Sequence, residues 1–250
     1  MNMNMKMLVT SDWHADAVTN GIERYNEIES IALEMVKTAI EERVSVFVFA
    51  GDLCNPGLGG RTIMAISLAS KVANMLDDVG IRSIWLAGNH DVVDVDYPLS
   101  SLMPLCTQGN SNINVAQVPM VVELAHVPFR FLCLPYVSKY LGARMYEHHN
   151  YVEALTAGFS AHDWKYTIVV SHMTALDVTG LEVGTESNEF RYGKSYKLNL
   201  PSYLDRGVRL VIQGHFHKHQ RHGGLFVPGS LVRLGFGEEK HHPHYHILSI

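Results

Sequence analysis

KMLVTSDWH, residues Lys6 to His14, and RVSVFVFAGD, residues Arg43 to Asp52, decide how the rest of the chain is read. Each is an apolar run of strand length that ends on residue types able to bind metals: Asp12 and His14 in the first, Asp52 in the second. Val44–Ala50 shows little alternation, the pattern of a strand buried on both faces. Between the two runs, Ile28, Ile31, Ala32, Met35, Val36, Ala39 and Ile40 recur at the spacing of an amphipathic helix. Ala65, Leu68, Ala69, Val72, Met75, Leu76 and Val79 repeat that pattern, Gly80 ends it, and Ser83–Ala87 begins the next strand. Repeated strand–helix–strand units imply a largely parallel sheet covered by helices.

From about Asn112 the spacing shortens. Ile113–Ala116, Met120–Leu124 and Phe129–Leu134 read as strands of a hairpin or meander. Helical stretches are expected between Val137 and Phe159, then strands at Tyr166–Ser171, Val208–Gln213, Leu225–Val227 and Tyr245–Ser249. Asp177–Lys197 is polar and glycine-punctuated, the composition of a long surface loop. One domain over residues 1–250 is expected.

Composition narrows the class. The 250 residues are 47% hydrophobic and 18% charged, which suits a sizeable core and excludes a disordered chain. Twenty basic against twenty-five acidic residues gives −5, so no global basic field advertises nucleic acid. No apolar run approaches the ~20 residues of a membrane helix, so no membrane partner is expected. The start lacks the apolar region of a signal peptide, and export is not expected. Cys54, Cys106 and Cys133 are an odd number without C-x-x-C pairing, which fits three thiols in a reducing cytoplasm.

The unusual polar residues follow the strands. Ser11-Asp12-Trp13-His14 comes after the first strand, Gly51-Asp52 after the second and Gly88-Asn89-His90-Asp91 after the third. Tyr166–Ser171 runs into His172, and Val208–Gln213 into Gly214-His215-Phe216-His217. In open α/β sheets, functional groups gather beyond the carboxyl ends of the strands. Two aspartates, one asparagine and four histidines, His90 apart, suit dications such as Mn²⁺, Fe²⁺ or Zn²⁺ and disfavour calcium. Seven ligands exceed what one ion needs; shared by two ions with a bridging carboxylate, they leave room for water and substrate. Such a pair activates water and clamps the oxygens of a phosphoryl transfer.

D-x-H, G-D, G-N-H-D, an isolated S-H and G-H-x-H, in this order from about Met7 onward, resemble the calcineurin-like metallophosphoesterase superfamily. The resemblance implies a four-layer α-β-β-α sandwich, two mixed sheets flanked by helices, with a dinuclear site at the strand ends. Carried over by position, one metal takes Asp12, His14, Asp52 and His217, and the other Asp52, Asn89, His172 and His215, with Asp52 as the bridge. His90 matches the family's histidine that binds no metal and acts on the leaving oxygen or the phosphoryl charge. Asp91 either orients His90 or caps the local turn.

Two segments look most like the SbcD-type DNA-repair exonucleases: Asp12–Pro56, and Gly229-Ser230-Leu231-Val232-Arg233 with Phe236-Gly237-Glu238-Glu239. That likeness implies a metal-dependent phosphodiesterase, a DNA exo- or endonuclease working with Mn²⁺. It prefers single-stranded or unpaired DNA, because the family's capping domain has no counterpart here. An SbcC-type coiled-coil ATPase or a homodimer formed through Leu231–Phe236 is a possible partner. The alternative is a phosphodiesterase or phosphatase for a small nucleotide-like substrate. A metal-holding adaptor is disfavoured by the intact His90. Some relatives carry a second catalytic histidine where this chain has Asn55. Arg191, Lys218 and Arg221 are candidates for phosphate contact, with an ordinary solvated loop as the competing account. His241, His242, His244 and His246 are accounted for by alternation along a final strand with one solvated face, although such tracts also bind metals loosely.

Overall fold

A computed structural model of the chain describes residues 5–55, 60–94, 99–106, 112–148, 150–175, 196–235, 238 and 240–250. Eleven strands form two mixed sheets. In the first lie β1 (Lys6–Thr10), β2 (Val46–Phe49), β3 (Arg82–Leu86) and β4 (Ile113–Ala116). The second holds β5 (Met120–Glu123), β6 (Arg130–Leu134), β7 (Thr167–Ser171), β8 (Leu210–Gln213), β9 (Gln220–His222) and β10 (Leu225–Val227). The last strand, β11 (His246–Ser249), returns to the first sheet. The orders are β11-β1-β2-β3-β4 and β9-β10-β8-β7-β6-β5. β1 to β4 are mutually parallel with β11 antiparallel on β1, while β6, β7, β8 and β10 are parallel with antiparallel edges.

The unalternating strands are explained by burial on both faces. Met7, Val9, Val46, Val48, Ile84 and Leu86 of the first sheet meet Phe131, Cys133, Ile168, Val170 and Ile212 of the second. The opposite faces of the same strands, carrying Leu8, Phe47, Phe49 and Trp85, pack under helices α1 (Tyr25–Glu41) and α2 (Gly60–Asp78). Each fully buried aliphatic or aromatic side chain is worth about 1.5–3 kcal/mol. α1 buries Ile28, Ala32, Met35, Val36 and Ala39, one stripe at 3.6-residue spacing. α2 ends where Gly80 takes φ +75° and Ile81 N–H donates to Leu76 O at 2.9 Å. On the far face of the second sheet, Leu132, Leu134, Val169 and Val211 pack under short helices at 151–156 and 201–205. The four layers are therefore helix, sheet, sheet, helix, as the family resemblance implies.

Two expectations, the meander and the alternating histidine strand, are corrected. Ile113–Ala116 does not join a meander: it pairs parallel with β3, and the chain crosses to the other sheet before Met120. Short spacing sets a loop length, not sheet membership. Of the expected dimer stretch, Leu231 and Val232 lie in the core with α1 and α2, Arg233 is exposed, Leu234 and Gly235 are half-buried, and Phe236 is outside the described residues. The histidine tract does not alternate along a strand, since β11 begins only at His246. The expected loop Asp177–Lys197 falls almost entirely outside the described residues. Among the described residues, no helix is long and apolar enough to cross a membrane.

Candidate metal centre

Five parallel strands deliver their ends to one place. The turn after β1 is laced to the turn after β2: Asp12 N–H donates to Gly51 O at 2.8 Å, His14 N–H to Asp52 O at 3.1 Å and Ala15 N–H to Leu53 O at 2.8 Å. On the second sheet, Gly214 N–H donates to Ser171 O at 2.9 Å. The turns are sharp enough to put Asp12, His14, Asp52 and His215 in the left-handed region, at φ +52°, +43°, +63° and +75°. A non-glycine residue there costs on the order of 1–3 kcal/mol and persists only where its surroundings impose it. Gly51, at φ +104°, lies so close to the His172 ring that a Cβ would collide with it, and a Cβ on Gly88 would collide with the Asp52 carboxylate.

Three overlapping sets of donor atoms result, one of them His14, Asp52 and half-buried His90. Asp12, His14 and His217 form a second, and Asp52, His172 and His215 a third, each with donor atoms within 4.8 Å of one another. Asp52 belongs to the first and the third, its Oδ2 at 3.2 Å from His172 Nε2 and 3.7 Å from His14 Nε2. Asn89 Oδ1 joins the third group, 3.1 Å from His172 Nε2 and 2.9 Å from His215 Nδ1. Asp12, His14, Asp52, His172, His215 and His217 are buried, whereas Asn89 and His90 are half-buried.

The outward ring nitrogens fix the tautomers. His14 Nδ1 bonds Asn55 Oδ1 at 3.0 Å, His217 Nδ1 bonds Glu238 Oε1 at 2.8 Å, and His172 Nδ1 bonds Ala50 O at 2.6 Å. Histidines that ligate metals characteristically donate their other N–H in this way. With both Nδ1–H groups so engaged, the Nε2 lone pairs of His14 and His217 face each other at 3.2 Å. Two lone pairs at that distance repel unless a proton or a cation lies between them. Asp12 Oδ1 is buried without a hydrogen-bond partner, while Oδ2 takes the Ser11 hydroxyl. These residues fit divalent ions, and the donor set of nitrogens and oxygens suits Mn²⁺, Fe²⁺ or Zn²⁺.

The electrostatics agree. Burial alone would raise Asp52, but His172, His90 and His14 around it hold its carboxyl well below the usual range. Burial would depress His172, yet Asp52 and Asp12 push it up to about 10. Burial and the neighbouring His172 take His215 down to about 3. Burial lifts Asp12 to about 6.

The remaining candidates are placed as follows. His90 sits edge-on to His14, ring centroids 4.9 Å apart, and its backbone N–H donates to Asp52 Oδ1 at 2.9 Å. Its Nδ1 is buried without a hydrogen-bond partner. Asp91 is the turn brace of its two expected roles. Its oxygens accept from the N–H groups of Gly88, Asp52, Leu53 and Cys54 and from the Ser101 hydroxyl, at 2.9–3.3 Å. Lys218 follows His217 directly, half-buried. Arg221 is not brought to the cluster: it sits exposed on edge strand β9 and lines a cleft of about 420 Å³ with Arg209, Phe226 and Ile250. Arg191 lies outside the described residues. Glu238, noticed in the sequence only as part of a signature, is fully buried and holds both His217 and, through Oε2, the Leu234 N–H at 2.7 Å. Asn55 holds His14.

A model of the calcineurin-like phosphoesterase family matches residues 5–219. The chain belongs to that family. Its members are hydrolases of phosphoester bonds that use a dinuclear metal centre, and the overlapping donor groups above are this chain's candidates for it. Over 260 aligned residues the chain is 24% identical to the SbcD component of the nuclease SbcCD from Staphylococcus epidermidis. The match takes in 98% of this chain and 66% of that protein, so the chain spans just under two thirds of the relative. Among solved structures it resembles a purple acid phosphatase from yellow lupin seeds (12% identity, 91% of this chain and 44% of that one, TM-score 0.54). It also resembles a dimetal phosphatase from Danio rerio (15% identity, 89% and 86%, TM-score 0.50). At those identities the likeness is one of fold.

Proposed function

We propose that the protein is a metal-dependent phosphodiesterase that cleaves DNA, with single-stranded or unpaired strands preferred. The observation that carries this reading is the chain of overlapping donor groups linked through His14 and Asp52, with half-buried His90 at the join. In it, Asp12, His14, Asp52 and His217 hold one ion, Asp52, Asn89, His172 and His215 the other, and Mn²⁺ is the best match. Bound there, the ions supply an activated water and neutralise phosphoryl charge.

The chain's own residues do the rest. Asn55, Ala50 and Glu238 orient His14, His172 and His217 by accepting their outer N–H groups. Asp91 ties the Gly88 turn to the Asp52 turn and so sets where His90 stands. His90 donates a proton to the leaving oxygen, or a hydrogen bond to the phosphoryl group, and Lys218 lies next to His217 as a backbone-phosphate contact. The SbcD-type relative supports DNA as substrate and an SbcC-type ATPase as partner. Buried Cys54 and Cys133 and exposed Cys106, all unpaired, support a reducing cytoplasm.

Net charge −5 gives little general attraction to a rigid duplex, whose distortion costs on the order of several kcal/mol. The test compares matched single-stranded, blunt duplex and flapped DNA with a panel of nucleotides, using Mn²⁺-loaded protein at fixed low salt. Faster cutting of single strands and flaps is expected. Blunt duplex cut as fast would remove the strand preference. Nucleotide hydrolysis without DNA cleavage would replace the nuclease reading with the small-molecule one.

A further inference from the structure

The imidazoles of His219, His244 and His246 gather away from the donors described above. Their ring centroids lie 4.2 Å (His219 and His246), 4.3 Å (His244 and His246) and 5.3 Å (His219 and His244) apart. One nitrogen from each falls within 4.8 Å of the other two. The three come from different parts of the fold: His219 immediately precedes β9 of the second sheet, whereas His244 leads into β11 of the first and His246 begins it.

The outer nitrogens are again committed. His219 Nδ1 donates to Val227 O at 2.6 Å, and His246 Nε2 to Pro228 O at 2.9 Å. That leaves His219 Nε2 and His246 Nδ1 with lone pairs, and a carbonyl behind each ring is the arrangement that orients a ligating histidine. Phe226 walls the group, 5.2 Å from the His219 ring and 4.9 Å from His246.

We propose that His219, His244 and His246 form a third cation site, separate from the dinuclear one, for a borderline divalent ion of the Zn²⁺ class. An all-imidazole set excludes Ca²⁺ and Mg²⁺, which take oxygen, and suits Zn²⁺, Ni²⁺ or Cu²⁺. Three protein nitrogens leave a fourth, tetrahedral position for water. Zn–N distances of ~2.0–2.1 Å require nitrogens roughly 3.3 Å apart, so the rings must draw inward. Because the ligands come from both sheets, the ion fastens the end of β11 to the β9–β10 hairpin and stabilises the fold by binding only its folded form.

The experiment uses the full chain, stripped of metal and dialysed against micromolar free Zn²⁺. Bound zinc per chain and the melting temperature are measured with and without the ion. His244→Ala and His246→Gln are compared with wild type, and Asp52→Ala serves as the control for the other site. The Gln variant keeps a donor toward Pro228 O, so one informative protein remains if the Ala variant misfolds. Wild type is expected to hold one more zinc per chain than either histidine variant, and to gain more in melting temperature. Asp52→Ala is expected to retain that extra ion. Equal zinc content in wild type and the folded histidine variants would overturn the proposal, as would loss of the extra ion in Asp52→Ala alone.

Discussion

Glu238 offers a perturbation that separates the first ion from the second. It is fully buried, accepts from His217 Nδ1 at 2.8 Å and takes the Leu234 N–H at 2.7 Å. Removing a carboxylate behind a ligating histidine typically lowers metal affinity 10–100-fold, about 1.4–2.8 kcal/mol. Glu238→Ala also strands the buried His217 Nδ1–H, at about 1–3 kcal/mol, and the part-buried Leu234 N–H. Against a typical stability of about 5–15 kcal/mol, that is a serious loss, so Glu238→Gln is the better probe. Its amide oxygen can still accept from His217, but its NH₂ then faces the Leu234 N–H, and one of the two bonds fails. The assay titrates metal-free protein with Mn²⁺ by competition against a chelator, with circular dichroism to confirm the fold. One of two ions should weaken by roughly 10–100-fold, while the ion held by Asn89, His172 and His215 changes little. If a folded Glu238→Gln protein binds both ions as wild type does, Glu238 does not position a ligand.

Asp52→Ala should lose or split both ions and abolish turnover, because Asp52 Oδ2 faces both His14 and His172; elemental analysis beside an activated-phosphodiester assay checks it. Gly51→Ala places a methyl into the His172 ring at φ +104°, so about 1–3 kcal/mol should be lost and the melting temperature should fall by roughly 2–10 °C, even without metal. Metal uptake should release protons: His172, pushed up to about 10, is charged at neutral pH in the ion-free protein and must give up its proton to bind. Apparent affinity should therefore rise with pH below about 10, and calorimetry in buffers of differing ionisation enthalpy measures the protons released.

Much of this site is legible in the sequence because its parts are local. Apolar runs such as Val46–Phe49 announce buried strands, and ligand residue types follow them within a few positions, so the fold places them together. Asp91 was ambiguous because only the folded turns show that its oxygens are taken up by five donors. Glu238 was illegible as a partner of His217, since twenty-one residues separate them and nothing periodic links them. Arg221 looked close to the site by sequence, yet the reversal into β9 carries it to an edge strand. The tract around His244 reads as a solvated strand face until His219 comes against it from the other sheet.

The central claim is that seven side chains hold two ions while His90 acts on the substrate. The direct measurement is metal content and phosphodiester hydrolysis, taken on the same Mn²⁺-loaded preparations of wild type and His90→Ala. The account expects two ions per chain at the dinuclear centre in both proteins and a rate lower by roughly 10²–10⁴ in the variant. An unchanged rate, or loss of metal together with His90, would contradict it.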